Sequence, residues 1–344
     1  MKSFVYKVLG ICLPLIIILV LVNYFGDAAK IFSNNYEKKI AGMLLSHKSV
    51  TNISNYNERL VQQEWIKKLP FAPDIAVIGS SKAMLIDSGM IGGYRLINNS
   101  ISGATLTDIE AVYHLYLLTG KIPRRIIIGI DPWTLNDDAE QQHIAQKSGD
   151  HKIDNGKQTR LNKFTTLFSL TYFQRSLPAL LRKIRGHDQP VATTEKYNVS
   201  NTKNPDGSLT YNDAYRNSSE TAVKSRVEIY LKRGDIADLK LLNSVSAGKW
   251  KQLLQLINDM QTRHIRVFLL LTPYHPSIYK TILNSYPSGL NAEHLIKQFA
   301  DQKKIELIGS FDPAKCGLSN RDFYDAVHCN EHGLRLILNK FVLH

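Results

Sequence analysis

"DIAVIGSSKAM", Asp74 to Met84, opens with an apolar run and breaks into Gly79-Ser80-Ser81. A short apolar run closed this way reads as a buried strand that ends in a loop. The pattern returns. "YRLINNSISGAT", Tyr94 to Thr105, is a short strand and then a polar turn with Gly103. "RRIIIGIDPW", Arg124 to Trp133, is a third strand, ended by Asp131-Pro132. Between them a helix should start at Thr105, where Thr105 and Asp108 have capping-box spacing, and stop at Gly120. Strands that alternate with helices predict a parallel α/β sheet with helices on both faces.

The same grammar resumes late in the chain. Trp250, Leu253, Leu254, Ile257 and Met260 mark one helical face. "IRVFLLLTPYHP", Ile265 to Pro276, is a strongly apolar strand closed by prolines. "AEHLIKQFADQKK" reads as a helix, "IELIGSFD" as a strand and "EHGLRLILNKFV" as a last helix beginning near Glu331. Residues from about 136 to 245 break the pattern and read as an insertion over one end of the sheet. Within it, "LNKFTTLFSLTYFQRSLPALLRKIRG" is amphipathic, basic and aromatic. Such a segment either packs on the core or touches a membrane surface. "KYNVSNTKNPDGSLTYNDAYRNSS" reads as a polar, turn-rich loop.

The N-terminus carries Lys2 and Lys7 and then "VLGICLPLIIILVLVNYF", Val8 to Phe25, which has no charge. That length is just enough to span a bilayer as a helix. The positive flank predicts an N-terminus in the cytoplasm and the remainder outside it. A cleaved leader ending near Gly26-Asp27-Ala28 is the alternative. The predicted organisation is a tail and anchor over 1–26, a helical stalk over 27–70, and an α/β domain over 71–344. The net charge of +13 favours anionic partners: lipid headgroups, wall or capsule polymers, or nucleic acid. The basic residues are scattered and no zinc-finger, recognition-helix or RNA-binding signature appears, so nucleic acid is not expected.

In an open α/β sheet, ligands bind beyond the carboxyl ends of the strands. Just past the predicted strands lie Ser80 and Ser81, Gly103, Asp131, His275, and last "FYDAVHCNEHG", Phe323 to Gly333. This last stretch holds Asp325 and His328 three residues apart. A nucleophilic serine needs a base to take its proton and a third group to aim the base. Ser81, His328 and Asp325 suit those roles. Asp325 is expected to hold one ring nitrogen of His328 while the other faces Ser81 Oγ, with Gly333 letting the last helix pack close behind. Cys316 and Cys329 bracket part of this segment. Outside the cytoplasm they can form a disulfide, worth roughly 3 kcal/mol in the chain-entropy model; two buried thiols are the alternative. A metal site built on His275, His328 and His332 has no tight ligand spacing to support it.

These blocks resemble those of the SGNH (GDSL-type) hydrolase superfamily: "GSS" after a strand, "NNSISGAT", "GIDPW" and the C-terminal "DAVH". More narrowly they are similar to its membrane-anchored branch, the DltD-like and alginate-acetylation-type proteins. The resemblance covers roughly residues 75–137 and 267–337 and leaves out the insertion. It implies a three-layer sandwich of the SGNH/flavodoxin-like kind behind an N-terminal transmembrane helix. It implies Ser81 as nucleophile, since Ser80 stands where the superfamily usually has Asp, and Asp325 and His328 as its D-x-x-H. The oxyanion would rest on the backbone N–H groups of Ser81 and Gly103. The third block departs: Gly129-x-Asp131 stands where the family has Gly-x-Asn. An ionised Asp donates no hydrogen bond and repels an oxyanion. Three readings remain: Asp131 is protonated, Asn98 or Asn99 serves instead, or Asp131 is structural.

The resemblance further implies O-acyl transfer outside the cytoplasm without a cofactor. The acceptor would be a hydroxyl of a cell-surface glycan or polymer. A multi-spanning membrane O-acyltransferase would be the partner that exports the acyl group. Two alternatives stand beside it: an esterase on the same site, and a non-catalytic polymer-binding or assembly protein on a degenerate scaffold.

Overall fold

The structure is a computed structural model that describes residues 2–32, 35–137, 160–186, 189–232, 245–285 and 287–339. It begins with α1 (Lys2–Gly26), α2 (Asn35–Leu45), β1 (Ser49–Thr51) and α3 (Glu58–Lys68). Next come β2 (Ile75–Ile78), β3 (Leu96–Asn98), α4 (Leu106–Thr119) and β4 (Arg125–Gly129). The insertion contributes α5 (Arg160–Leu167), α6 (Leu170–Ile184), β5 (Val191–Thr193), β6 (Thr202–Lys203), β7 (Leu209–Thr210), the single turn α7 (Asp213–Arg216) and α8 (Glu220–Lys232). The chain closes with α9 (Ala247–Thr262), β8 (Arg266–Leu271), α10 (Pro276–Ser285), α11 (Pro287–Lys303), β9 (Glu306–Gly309), α12 (Pro313–Cys316) and α13 (Glu331–Asn339). The predicted insertion also includes residues 138–159, 187–188 and 233–244, which lie outside the described residues.

The main sheet is parallel, in the order β3-β2-β4-β8-β9. Counted along the sheet's own strands this is 2-1-3-4-5, the flavodoxin-like doubly-wound order. Strand order reverses between β2 and β4, so the loops after these two strands diverge and leave a crevice there. Ser81 follows β2 and Asp131 follows β4. The predicted serine loop therefore opens at the position where open α/β sheets bind ligands.

Strand side chains alternate between two cores, as period-2 geometry requires. Ala76, Ile78, Ile126, Ile128, Leu269 and Leu271 face one core, which is shared with α3, α4, α9, α10 and α11. Ile75, Val77, Ile127, Phe268 and Leu270 face the other, which is closed by α13. The result is three layers. Helix α4 starts and stops as its sequence predicts: Thr105 and Asp108 form a reciprocal capping box, and Gly120 ends the helix at φ +67°. Helix α9 buries Leu253, Leu256, Ile257 and Met260, with Trp250 and Leu254 only partly covered.

Two parts of the predicted organisation differ. The segment expected to be a stalk is helical but belongs to the folded body. Val61, Trp65 and Ile66 of α3 are buried, and Arg59 pairs with Asp108 at the start of α4. Its strand β1 joins the insertion strands in a small antiparallel sheet, β5-β1-β6-β7. The polar pattern misled because α3 shows one polar face to solvent and spends its other polar groups on internal contacts. The insertion, too, is more than a cover, since its "TYNDAYR" segment reaches the candidate site. Helix α1 carries its side chains in description at Tyr6 and from Gly10 onward. Among the described residues no helix is long and apolar enough to cross a membrane; the side chains of Val8 and Leu9, at the start of the span expected over Val8–Phe25, lie outside them.

Candidate active site

The loop after β2 assigns different work to its two serines. Ser80 is buried, and its Oγ accepts the Lys82 N–H at 3.2 Å, capping a short 3-10 turn over Ser81–Ala83. Ser81 is the first residue of that turn and is partly exposed. Asn98, at the end of neighbouring β3, braces the turn from beneath. Its Nδ2 donates to the carbonyls of Ala83 (2.8 Å) and Ile86 (2.9 Å), and its Oδ1 accepts the Ser100 N–H.

The Asp-x-x-His segment comes back to this turn from the far edge of the sheet. His328 Nε2 lies 2.9 Å from Ser81 Oγ, and His328 Nδ1 lies 2.8 Å from Asp325 Oδ2. Asp325 Oδ1 also accepts the backbone N–H groups of Val327 and His328, each at 2.8 Å. These bonds fix the carboxylate, and through it they orient the imidazole with Nδ1 toward Asp325 and Nε2 toward the serine. Burial works to raise the Asp325 pKa. The adjacent His328 charge and the hydrogen bonds from His328, Tyr215 and Val327 outweigh it and hold the carboxyl well below the usual carboxylate range. The last helix packs closely behind, as its glycine suggested: a Cβ on Gly333 would sit 2.7 Å from the Asp322 carbonyl oxygen.

Gly103 sits in a left-handed turn at φ +57°. That turn is held on two sides. Glu58 of α3 accepts the Ser102 N–H and hydroxyl at 2.5 and 2.9 Å, and Trp133 Nε1 donates to the Ala104 carbonyl at 3.2 Å. Among the described residues the backbone N–H groups of Ser81 and Gly103 have no protein partner, which leaves both donors available to a ligand oxygen.

Asp131 does not stand alone at the end of β4. Its Oδ1 lies 3.2 Å from Lys82 Nζ, with both side chains enclosed. The angle falls short of a hydrogen bond, and the ammonium is completed by the π face of Tyr274, 3.6 Å from the ring centroid, and by Trp133 at 5.1 Å. This contact favours the structural reading of Asp131: a counter-ion that keeps Lys82 buried one residue after the serine. Asn99, expected as a substitute donor, is a correction. Its Nδ2 donates to Gln62 Oε1 (2.7 Å) and its Oδ1 accepts Tyr116 Oη (2.6 Å), and the whole side chain is buried. Asn98 is committed in the same way to the serine turn.

His275, expected among the substrate contacts, lies beneath the Asp-x-x-His loop. Its N–H donates to the Ala326 carbonyl at 3.1 Å, its Nδ1 accepts the Ser277 N–H at 3.3 Å, and its ring meets Phe323 edge-on at 5.4 Å. Burial pulls its pKa down, with Asp325 opposing. His332 turns away to Asp322, 2.7 Å distant. Cys316 and Cys329 are not joined as a disulfide; both are buried thiols. Cys316 Sγ points at the Ser310 carbonyl (3.7 Å) and Cys329 Sγ at that of Pro273 (3.9 Å). The apolar surroundings that accept these thiols also push the Cys329 pKa well up.

Sequence reasoning missed three contributors. Tyr215 of α7 donates its hydroxyl to Asp325 Oδ2 at 2.5 Å, and Tyr211 meets the His328 ring edge-on at 6.2 Å. The aromatics in an otherwise polar loop were the available signal, because tyrosines are costly to leave in water and seek a buried face with a polar outlet. Lys82 was the third. An acid at the end of a wholly buried strand requires a cation nearby, and Lys82 stands beside the serine in sequence.

Together these contacts describe a serine hydroxyl, an aimed imidazole, a half-buried carboxylate and two unengaged N–H donors on one edge of a parallel sheet. No family model, no characterised protein and no solved structure matches the chain.

Proposed function

We propose that this chain is a serine-dependent acyl-transferring enzyme. The observation that carries the reading is the unbroken line Ser81 Oγ, His328 Nε2, His328 Nδ1, Asp325 Oδ2, with links of 2.9 and 2.8 Å. In this mechanism Ser81 Oγ attacks the carbonyl carbon of an acyl donor as His328 Nε2 takes its proton. Asp325 stabilises the imidazolium by accepting from Nδ1 and stays ionised. The oxyanion rests on the N–H groups of Ser81 and Gly103. Collapse expels the leaving group, which takes the proton from His328, and leaves an ester on Ser81. An acceptor hydroxyl then attacks that ester with His328 again as base, which releases the acylated product and restores the serine.

The resemblance of the four sequence blocks to the membrane-anchored SGNH branch supports O-acyl transfer to a cell-surface glycan or polymer over other acyl chemistry. It also supports a multi-spanning O-acyltransferase as partner. With water as acceptor the same steps make an esterase. The N-terminal run supports a single-pass anchor with the catalytic domain outside the cytoplasm. Within it Ile11, Leu13, Leu15, Ile17 and Ile18 are exposed on α1, as side chains facing lipid would be. The non-catalytic alternative drew on Asp131, and the Lys82 contact gives that residue a structural reason to be there.

The test is intact mass of the full-length protein after exposure to an aryl acetate or a fluorophosphonate. A single adduct mapping to Ser81 is expected, absent in Ser81→Ala. No adduct under conditions that label a known serine esterase would favour the non-catalytic scaffold.

A further inference from the structure

Helix α6 wears its sequence inside out for a helix packed in water. Its buried residues are the small Ser176 and Ala179, which lie against the end of α1. The approach is so close that a Cβ on Gly26 would stand 2.2 Å from the Ser176 carbonyl oxygen. Four of its large apolar residues face outward, Leu170 (70% exposed), Leu177, Leu181 and Ile184 (73%), with Phe164 and Phe168 beside them, while Phe173 and Leu180 are half-buried. Positions 170, 177, 181 and 184 fall on one helical face. A contiguous apolar face of this kind on a folded body marks an interaction surface.

The hairpin is fastened to the foot of α1. Asn23, the polar exception in the apolar run, is wholly buried and donates to the carbonyls of Leu167 (2.8 Å) and Ser169 (3.1 Å). Lys183 Nζ donates to the Phe25 carbonyl at 3.2 Å, and Tyr172 Oη donates to Asp27 at 2.9 Å. These contacts seat α6 at the end of α1 where Leu21, Tyr24 and Phe25 are also exposed.

The charge beside this face has one sign. From Arg160 to Arg185 the chain has six basic residues and no acidic one. Thr171, Arg175, Pro178 and Arg182 lie along a second side of α6 and line a cleft of about 740 Å³ with Tyr172 and Ser169. Guanidinium and hydroxyl groups beside an apolar stripe match phosphate headgroups above acyl chains.

We propose that α5 and α6 form an interfacial foot that lies in the headgroup layer of an anionic bilayer, with the stripe from Leu170 to Ile184 among the acyl chains and the arginines on lipid phosphate. This rests on the reading of α1 as an anchor. A bilayer is favoured over a protein partner because the stripe is held at the exposed apolar end of α1 and the flanking charge is uniformly basic.

The experiment uses the full chain with Cys12→Ser and a nitroxide at Leu181→Cys, in vesicles of phosphatidylcholine with phosphatidylglycerol. Nitroxides at Ile17→Cys and Leu118→Cys, in separate proteins, report on α1 and on the exposed surface of α4. The expected result is a several-fold loss of collision with a water-soluble nickel relaxant at residue 181, relative to residue 118, with oxygen collision retained. Free access of nickel to residue 181 overturns the foot; if residue 17 is immersed in that case, the anchor stands without it. Immersion at 181 with residue 17 in water keeps the foot and removes the anchor. Shielding of 181 from both nickel and oxygen overturns the lipid surface in favour of a protein or a second copy covering the face. Equal immersion in vesicles of phosphatidylcholine alone overturns the anionic headgroup contact.

Discussion

Lys82 and Asp131 form an enclosed ion pair, 3.2 Å apart, between the ends of β2 and β4. Removing one partner of such a pair leaves the other charge buried without compensation, which costs about 3–5 kcal/mol. Asp131→Asn should therefore lower the urea unfolding free energy by about that amount. Lys82→Met combined with Asp131→Leu should recover most of it. An Asp131→Asn protein with unchanged stability and faster turnover would instead place residue 131 at the oxyanion.

The two adjacent serines separate cleanly. Ser80→Ala removes a cap and should cost about 1 kcal/mol of stability while ester turnover continues. Ser81→Ala should retain the fold and lose turnover and probe labelling. A dead Ser80→Ala beside an active Ser81→Ala would overturn the assignment.

Tyr215 acts on the reaction through Asp325. Its own phenol is pushed well up by burial and by the Asp325 charge, so it remains a donor across the working pH range. A hydrogen bond to a charged group is worth about 1.5–3 kcal/mol. If the whole of that appears in the barrier, Tyr215→Phe should lower kcat by roughly 10–100-fold. KM should change little, since the tyrosine is a positioning residue. A loss confined to KM would assign Tyr215 to substrate contact instead.

Acid should weaken the fold through His275. Its imidazole is held below its ordinary pKa of 6.5, so the unfolded chain binds a proton that the folded chain refuses. The stability involved is whole above about pH 6.5 and is lost as pH falls through the folded value. Asp325, depressed from 3.8, adds a loss of the same sign at lower pH. His275→Gln should flatten the fall in urea midpoint as the pH is lowered below about 6.5. Equal slopes in the two proteins would assign the acid loss to other groups.

The cysteines give a simple mass test. Protein exported from the cytoplasm and digested without reductant should show Cys316 and Cys329 as intact thiols, unreactive to maleimide until the chain is unfolded. A two-hydrogen deficit across that peptide pair would restore the disulfide.

Much of this protein was legible in the chain itself. The apolar runs ending in Gly-Ser-Ser, Asn-Asn-Ser and Asp-Pro marked three parallel strands, because a strand buried on both faces must be short, apolar and ended by a turn. The Thr105–Asp108 box and Gly120 bounded α4 for equally local reasons. Ser81, Asp325 and His328 were chosen from residue type and from place relative to strand ends, and the fold brings them within hydrogen-bond reach. The remainder was decided by contacts between residues 37 to 110 positions apart, whose partners local pattern does not name. The polarity of residues 27–70 suggested a stalk, but Gln62 and Glu58 are polar because they satisfy Asn99 and the Gly103 turn inside the body. Asp131 was ambiguous until Lys82 was seen beside it, since a buried acid is defined by its counter-ion. Tyr215 lies 110 residues from Asp325 in sequence, and only the folded insertion brings its hydroxyl to the carboxylate.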